Sequence, residues 1–192
     1  MERVKQFLKT SGDLKYQVAE TLSEEILCAA YSIRDCISTG GKLILMGNGG
    51  SAADSQHIAA ELIGRFKKER KAIPAHALTV DSSSLTALGN DYGFESIFSR
   101  QVEALANPND AVVGISTSGN SKNIIRALSL AREIGAKTIG LMGNDGGEMK
   151  NCVDIGIIVP SSDTARIQEV HITIGHIICE IIEQDLIREN KI

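Results

Sequence analysis

The stretch Lys42-Leu43-Ile44-Leu45-Met46-Gly47-Asn48-Gly49-Gly50-Ser51 decides the fold. A short apolar run ends in small turn formers, and an amphipathic helical pattern follows. The order returns at Ala111-Val112-Val113-Gly114-Ile115, followed by Ser116-Thr117-Ser118-Gly119-Asn120-Ser121. It returns in part at Met142-Gly143-Asn144-Asp145-Gly146-Gly147. From these patterns strands are expected at 42–46, 75–80, 111–115, 137–142 and 155–159. Helices are expected at 52–66, 83–88, 94–106, 122–134 and 164–188. Short apolar strands alternating with helices predict an α/β fold, a parallel sheet covered on both faces. Pro74, Pro108 and Pro160 fall at element edges, where proline is tolerated.

Upstream of the first strand the period changes. Leu14, Val18, Leu22, Ile26, Ala30, Ile33 and Ile37 recur at spacings of three and four, which predicts one helix over 13–38. Gly40-Gly41 ends it. A shorter amphipathic helix carrying Val4, Phe7 and Leu8 precedes it. These leading helices, residues 1–40, are free to pack on the domain or on another subunit.

A chain of 192 residues fits a single domain over 1–192. A formal net charge of -4 argues against nucleic-acid binding, which favours basic faces. The start, Met1-Glu2-Arg3-Val4-Lys5-Gln6, has no apolar core of a secretory signal. No apolar run approaches the roughly 20 residues of a membrane span. A cytoplasmic protein without membrane contact is expected. Cys28, Cys36, Cys152 and Cys179 show no C-x-x-C spacing and read as buried, reduced thiols. The basic run Arg65, Lys67, Lys68, Arg70 and Lys71 reads as a solvated, snorkelling surface, with steering of an anionic substrate as the alternative.

Two loops carry the chemistry. Each places backbone N–H groups and hydroxyls at the positive end of a helix, which is an anion site. Plain turn chemistry accounts equally well for the first loop. For the second it does not, because Ser116, Thr117, Ser118 and Ser121 exceed what a turn requires. A phosphorylated ligand is the expectation. Gly47-x-Gly49-x-x-Ala52 also fits a loose dinucleotide fingerprint, but a basic loop stands where that motif needs a ribose-binding acid. A Walker loop is excluded, since no Gly-Lys-Ser/Thr occurs.

His57 and Glu61 lie four apart on one helix face. Gln168 and His176 lie on a later helix, about 80° apart around its axis. Together these four offer N and O ligands to a divalent metal such as zinc. Gln168 and His176 are separated by about 12 Å along an ideal helix, so either their side chains converge or different subunits contribute. Glu61 is also a candidate general base. His76 and His171 read as hydrogen-bonded surface or core residues.

At these residues the chain resembles the sugar isomerase (SIS) domain family. The segments are Gly47–Asp54, Gln56–Leu62, Gly89–Phe94, Gly114–Ser121 and Arg166–His171. With Glu61, Gln168 and His176 the likeness is to ketose–aldose isomerases acting on seven-carbon sugar phosphates. It implies a three-layer α/β/α sandwich on a five-stranded parallel sheet. It also implies a homotetramer assembled through the leading helices, with sites at subunit interfaces. Ser116, Thr117, Ser118 and Ser121 would hold the phosphate. Asn48, Gly49, Gly50, Ser51, Asn90, Asp91 and Gln168 would meet the substrate. His57, Glu61, Gln168 and His176 would bind zinc, with Glu61 and His176 as the catalytic pair. Ala165 stands where some relatives carry an acid. The implied reaction converts sedoheptulose 7-phosphate into D-glycero-D-manno-heptose 7-phosphate, toward the heptose of bacterial lipopolysaccharide and other surface polysaccharides. The competing reading is a non-catalytic phosphosugar sensor or replication-initiator-binding SIS protein. Such proteins tend to lack the acid at 61 and the histidine at 176.

Overall fold

The computed structural model describes residues Met1–Ile192. Two helices lead, α1 (Glu2–Thr21) and α2 (Ser23–Ser38). The α/β part follows as β1 (Leu43–Gly47), α3 (Gly50–Ile63), β2 (Ala75–Ala77), α4 (Ser82–Tyr92), α5 (Ser99–Leu105) and β3 (Ala111–Ser116). It ends with α6 (Lys122–Ile134), β4 (Lys137–Met142), β5 (Ile155–Ile158) and α7 (Thr164–Arg188). All pairings are parallel, in the order β2-β1-β3-β4-β5. The strand order reverses between β1 and β3, and the loops that follow these two strands are the two serine-bearing loops. In open α/β sheets the crevice at such a reversal is where ligands bind.

Alternation along the strands divides the core. Leu43 and Leu45 of β1, with Ala111, Val113 and Ile115 of β3, face the layer built by α2, α3 and α7. Ile44, Met46 and Val112 face the opposite layer, which holds α5 and α6. Both faces of the sheet are therefore dry, which is why its strands read as continuous apolar runs. No helix is long and apolar enough to cross a membrane.

The leading helices divide at Leu22, not before Asp13 where the sequence pattern places the division. α1 runs through Gly12 to Thr21, and the chain turns at Leu22 (φ -131°, ψ 9°). The hydroxyls of Thr21 and Ser23 donate to the carbonyls of Gln17 and Ala19 at 2.9 and 2.6 Å. Such back-bonding bends helices without needing Gly or Pro. Strand β2 is shorter than expected because α4 begins at Ser82, capped by the Asp81 carboxylate on Ser84 N–H at 3.0 Å. The 94–106 segment is a short 3₁₀ turn, Phe94–Ser96, and then α5. Cys179 alone among the thiols is buried; Cys28 is exposed, Cys36 and Cys152 are half-buried, and all four are unpaired.

His171 fixes α7 to the end of β4. Its ring is wholly buried, and Nε2 lies 3.0 Å from the Met142 carbonyl. The carbonyl only accepts, so Nε2 carries the proton. Nδ1 has no partner. Burial lowers the imidazole to about 4, against the smaller opposing pull of the Met142 carbonyl. The unfolded chain therefore binds the extra proton between pH 6.5 and 4, and stability falls as pH drops through that window. Urea unfolding at pH 5 is expected to give a free energy about 2 kcal/mol below that at pH 7.5. His171→Gln should flatten that slope; an unchanged slope would refute the assignment.

Candidate active site

Loop one runs from the end of β1 into α3. Gly49 adopts φ 55°, ψ -121°, a conformation open to glycine, and α3 starts at the next residue. Asn48 exchanges two amide hydrogen bonds with Asn123 of α6, Nδ2 to Oδ1 at 3.0 and 2.9 Å. This exchange ties the first loop to the helix that follows the second. Ser51 is buried beneath the loop.

Loop two gathers its hydroxyls. Ser116 Oγ lies 2.9 Å from Ser121 Oγ and 3.5 Å from Ser118 Oγ. Ser121 is the N-cap residue of α6, yet its hydroxyl does not cap that helix. It stays in the cluster, so hydroxyl groups converge at the positive end of α6. The loop is braced from behind: Met149 N–H donates to the Gly119 carbonyl at 2.9 Å, and Glu148 N–H to Asn120 Oδ1 at 3.0 Å. Asn144 Nδ2 donates to the Thr117 carbonyl at 3.0 Å.

Helices α3 and α7 run side by side in the same direction. Gln168 lies over Gly50, where a Cβ would come within 2.6 Å of the glutamine Nε2. Further along, a Cβ on Gly175 would meet Ile58 Cδ1 at 2.6 Å. Glycine at 175 thus allows the close approach that brings the next residue, His176, to His57. His57 Nε2 is 2.9 Å from His176 Nε2 and 3.2 Å from Glu61 Oε1. The three donor atoms lie within 4.8 Å of one another. One turn before His57, Asp54 has a buried Oδ2 without a partner. Burial pushes its carboxyl up, against the pull of His57.

One proton on His57 Nε2 cannot serve both the facing ring nitrogen and the carboxylate. A cation between them satisfies all three lone pairs. Tetrahedral bonds of about 2 Å separate ligand atoms by roughly 3.3 Å, close to the 2.9 and 3.2 Å seen from His57 Nε2. Two imidazoles and a carboxylate form a donor set suited to zinc. His57, Glu61 and His176 thus fit a divalent ion. Gln168 is not in this cluster; Gly50, over which it lies, is two helical turns, about 10 Å, from His57 along α3. Asn90 and Asp91 sit at the end of α4, exposed and bonded to each other at 2.8 Å.

The SIS domain family model matches residues 6–143. A phosphoheptose isomerase from Geobacter sulfurreducens is 59% identical over 174 residues, 88% of this chain and 92% of the relative. Another from Geotalea daltonii is 53% identical across 100% of both chains. The solved phosphoheptose isomerase from Francisella tularensis superposes with a TM-score of 0.92 at 40% identity, covering 95% of this chain and 97% of its own. That from Neisseria gonorrhoeae gives 0.90 at 44% identity, covering 95% and 98%. The chain belongs to the phosphoheptose isomerases of the SIS domain family. It is a phosphosugar isomerase, and the five-stranded parallel sheet is the family's architecture.

One member of the basic run departs from the expected solvated surface. The Arg70 side chain is only 1% exposed and pairs with Glu183 of α7, 2% exposed, at 3.1 Å. Nothing local marks Arg70 out from Lys68 or Lys71; its partner lies 113 residues away.

The bracing of loop two by Gly119 makes a direct prediction. Its φ is +66°, and a Cβ there would stand 2.1 Å from the Gly146 carbonyl oxygen. Gly119→Ala is expected to lower the unfolding free energy by at least about 2 kcal/mol. Gly12→Ala, in open space within α1, should raise it by about 0.5–1 kcal/mol. Urea denaturation of both variants checks the pair.

Proposed function

We propose that this chain interconverts sedoheptulose 7-phosphate and D-glycero-D-manno-heptose 7-phosphate in the cytoplasm, supplying heptose for lipopolysaccharide or another surface polysaccharide. The observation that carries the proposal is the meeting of His57, Glu61 and His176 between two parallel helices. The non-catalytic alternative expects neither the acid at 61 nor the histidine at 176, and both are present and in register.

Ser116, Thr117, Ser118 and Ser121 hold the phosphate through hydroxyls and the N-terminus of α6, with no lysine or arginine within the loop. Binding that remote group fixes the reacting carbons and contributes to the rate through positioning. Asn48, Gly49, Gly50, Ser51 and Gln168 line the sugar from the first loop and the start of α7. Asn90 and Asp91 join them in an assembled homotetramer. Support for assembly comes from Val4, Phe7 and Leu8 of α1, which are 61%, 57% and 68% exposed. It comes also from an apolar cavity of about 360 Å³ between α1, α2 and α7.

Ketose–aldose conversion moves a proton from C1 to C2 through an enediol. Glu61 takes the C1 proton and returns it at C2. His176 moves the accompanying proton between the two oxygens. Zinc, held by His57, Glu61 and His176, would polarise the carbonyl and stabilise negative charge on oxygen. As a fourth ligand Gln168 would have to leave its place over Gly50.

Conversion is followed by NMR on purified, zinc-loaded protein with sedoheptulose 7-phosphate. Turnover is expected for the native chain, with a loss of more than about 1,000-fold in Glu61→Gln while substrate binding stays within about threefold. A chelator should abolish turnover, and zinc should restore it. Near-normal turnover by Glu61→Gln would remove the base assignment, and turnover that survives chelation would remove the metal.

A further inference from the structure

We infer that the buried Arg70–Glu183 ion pair is a positioning device that sets the separation of Glu61 and His176. The inference rests on the isomerase reading of those two residues. Neither member of the pair touches the donor atoms of the cluster; Arg70 holds the backbone carbonyl of Glu61, and Glu183 holds the backbone just beyond it.

Helix α3 ends without a left-handed glycine cap: Gly64 has φ -77°, ψ -114°. The last carbonyls of a helix need partners. Arg70 provides them. Its Nη2 donates to the Glu61 carbonyl at 2.9 Å, and its Nη1 to the Leu62 and Gly64 carbonyls at 2.7 and 2.9 Å. The guanidinium thus grips the peptide of Glu61 itself. On its other side Nε donates to Glu183 Oε1 at 3.1 Å. Glu183 in turn accepts the N–H groups of Phe66, Lys67 and Lys68 at 3.1, 2.9 and 3.0 Å. Burial alone would raise the Glu183 carboxyl, but those N–H groups and Arg70 outweigh it and hold the group below its ordinary value.

Glu183 lies seven residues after His176, two turns on along the same face of α7. One carboxylate therefore fastens the helix of His176 to the chain just beyond Glu61. The same grip places Phe66, whose ring stands 5.7 Å from the His176 ring at a 30° tilt and walls the imidazole on that side. A hydrophobic pair would join two helices without desolvating charges and is often as stable. What the ion pair adds is direction, through fixed donors on the loop after α3 and fixed acceptors on α7 and the end of α3. A reaction whose base and acid sit on different helices depends on that direction, since a displacement of about 1 Å costs on the order of 100-fold in rate.

The test compares Arg70→Met and Glu183→Gln with Val112→Ala, a core truncation in the amino-terminal half of β3. All are assayed well below their melting temperatures. The readouts are kcat and KM for sedoheptulose 7-phosphate and zinc affinity by competition with a chromophoric chelator. Both pair variants are expected to lose about 10–100-fold in kcat with KM within about threefold. Zinc affinity should fall about tenfold or more, and Val112→Ala should change neither. Losses no larger than those of Val112→Ala would overturn the inference. Should Arg70→Met fail to fold, Glu183→Gln, which keeps the side-chain volume, decides the matter. If the native chain does not convert the heptulose phosphate, the isomerase reading fails, and zinc affinity alone then decides whether the pair positions the cluster.

Discussion

The close parallel packing of α3 on α7 is the constraint on which the rest of the site depends. Three places along it are occupied by groups that permit or enforce contact. Gly50 leaves room for Gln168 at the start, and Gly175 leaves room for Ile58 in the middle. Arg70 and Glu183 lock the far end at 3.1 Å. Between the last two, His57, Glu61 and His176 converge within 4.8 Å. Small residues allow backbones to approach, and directional hydrogen bonds then decide the register. Dispersion alone would tolerate a slide of one helix along the other; the Glu183 carboxylate, bound to three successive N–H groups, does not.

The sheet supports this packing from below. Its reversal point between β1 and β3 puts the two serine-bearing loops side by side, and the Asn48–Asn123 amide exchange ties the first loop to the helix that follows the second. A hydroxyl cluster at a helix N-terminus suits a phosphate without fixed countercharge. Such a loop holds its ligand by hydrogen bonds whose directions orient it. That complements a reaction in which the sugar carbonyl must meet an acid and a base at chosen places.

Much of this was legible in the sequence, for identifiable reasons. Apolar runs such as Leu43–Met46 and Ala111–Ile115 carry the parallel sheet because both their faces are buried. The four-residue spacing of His57 and Glu61 gives a shared helix face directly. What remained hidden depends on distant partners. Arg70 sits among solvated lysines, and only the fold shows that Glu183 receives it. The bend at Leu22 has no glycine or proline to announce it; two hydroxyls bonded back to their own helix accompany it. Asn90 and Asp91 lie on an exposed helix end, bonded to each other and to no other element.

This assignment of the site is tested most directly by a crystal structure with zinc and sedoheptulose 7-phosphate, recorded at the zinc absorption edge. One anomalous peak is expected, bonded to His57 Nε2, the Glu61 carboxylate and His176 Nε2, with the phosphate among Ser116, Ser118 and Ser121. A zinc peak elsewhere on the chain, with the phosphate away from that loop, would contradict it.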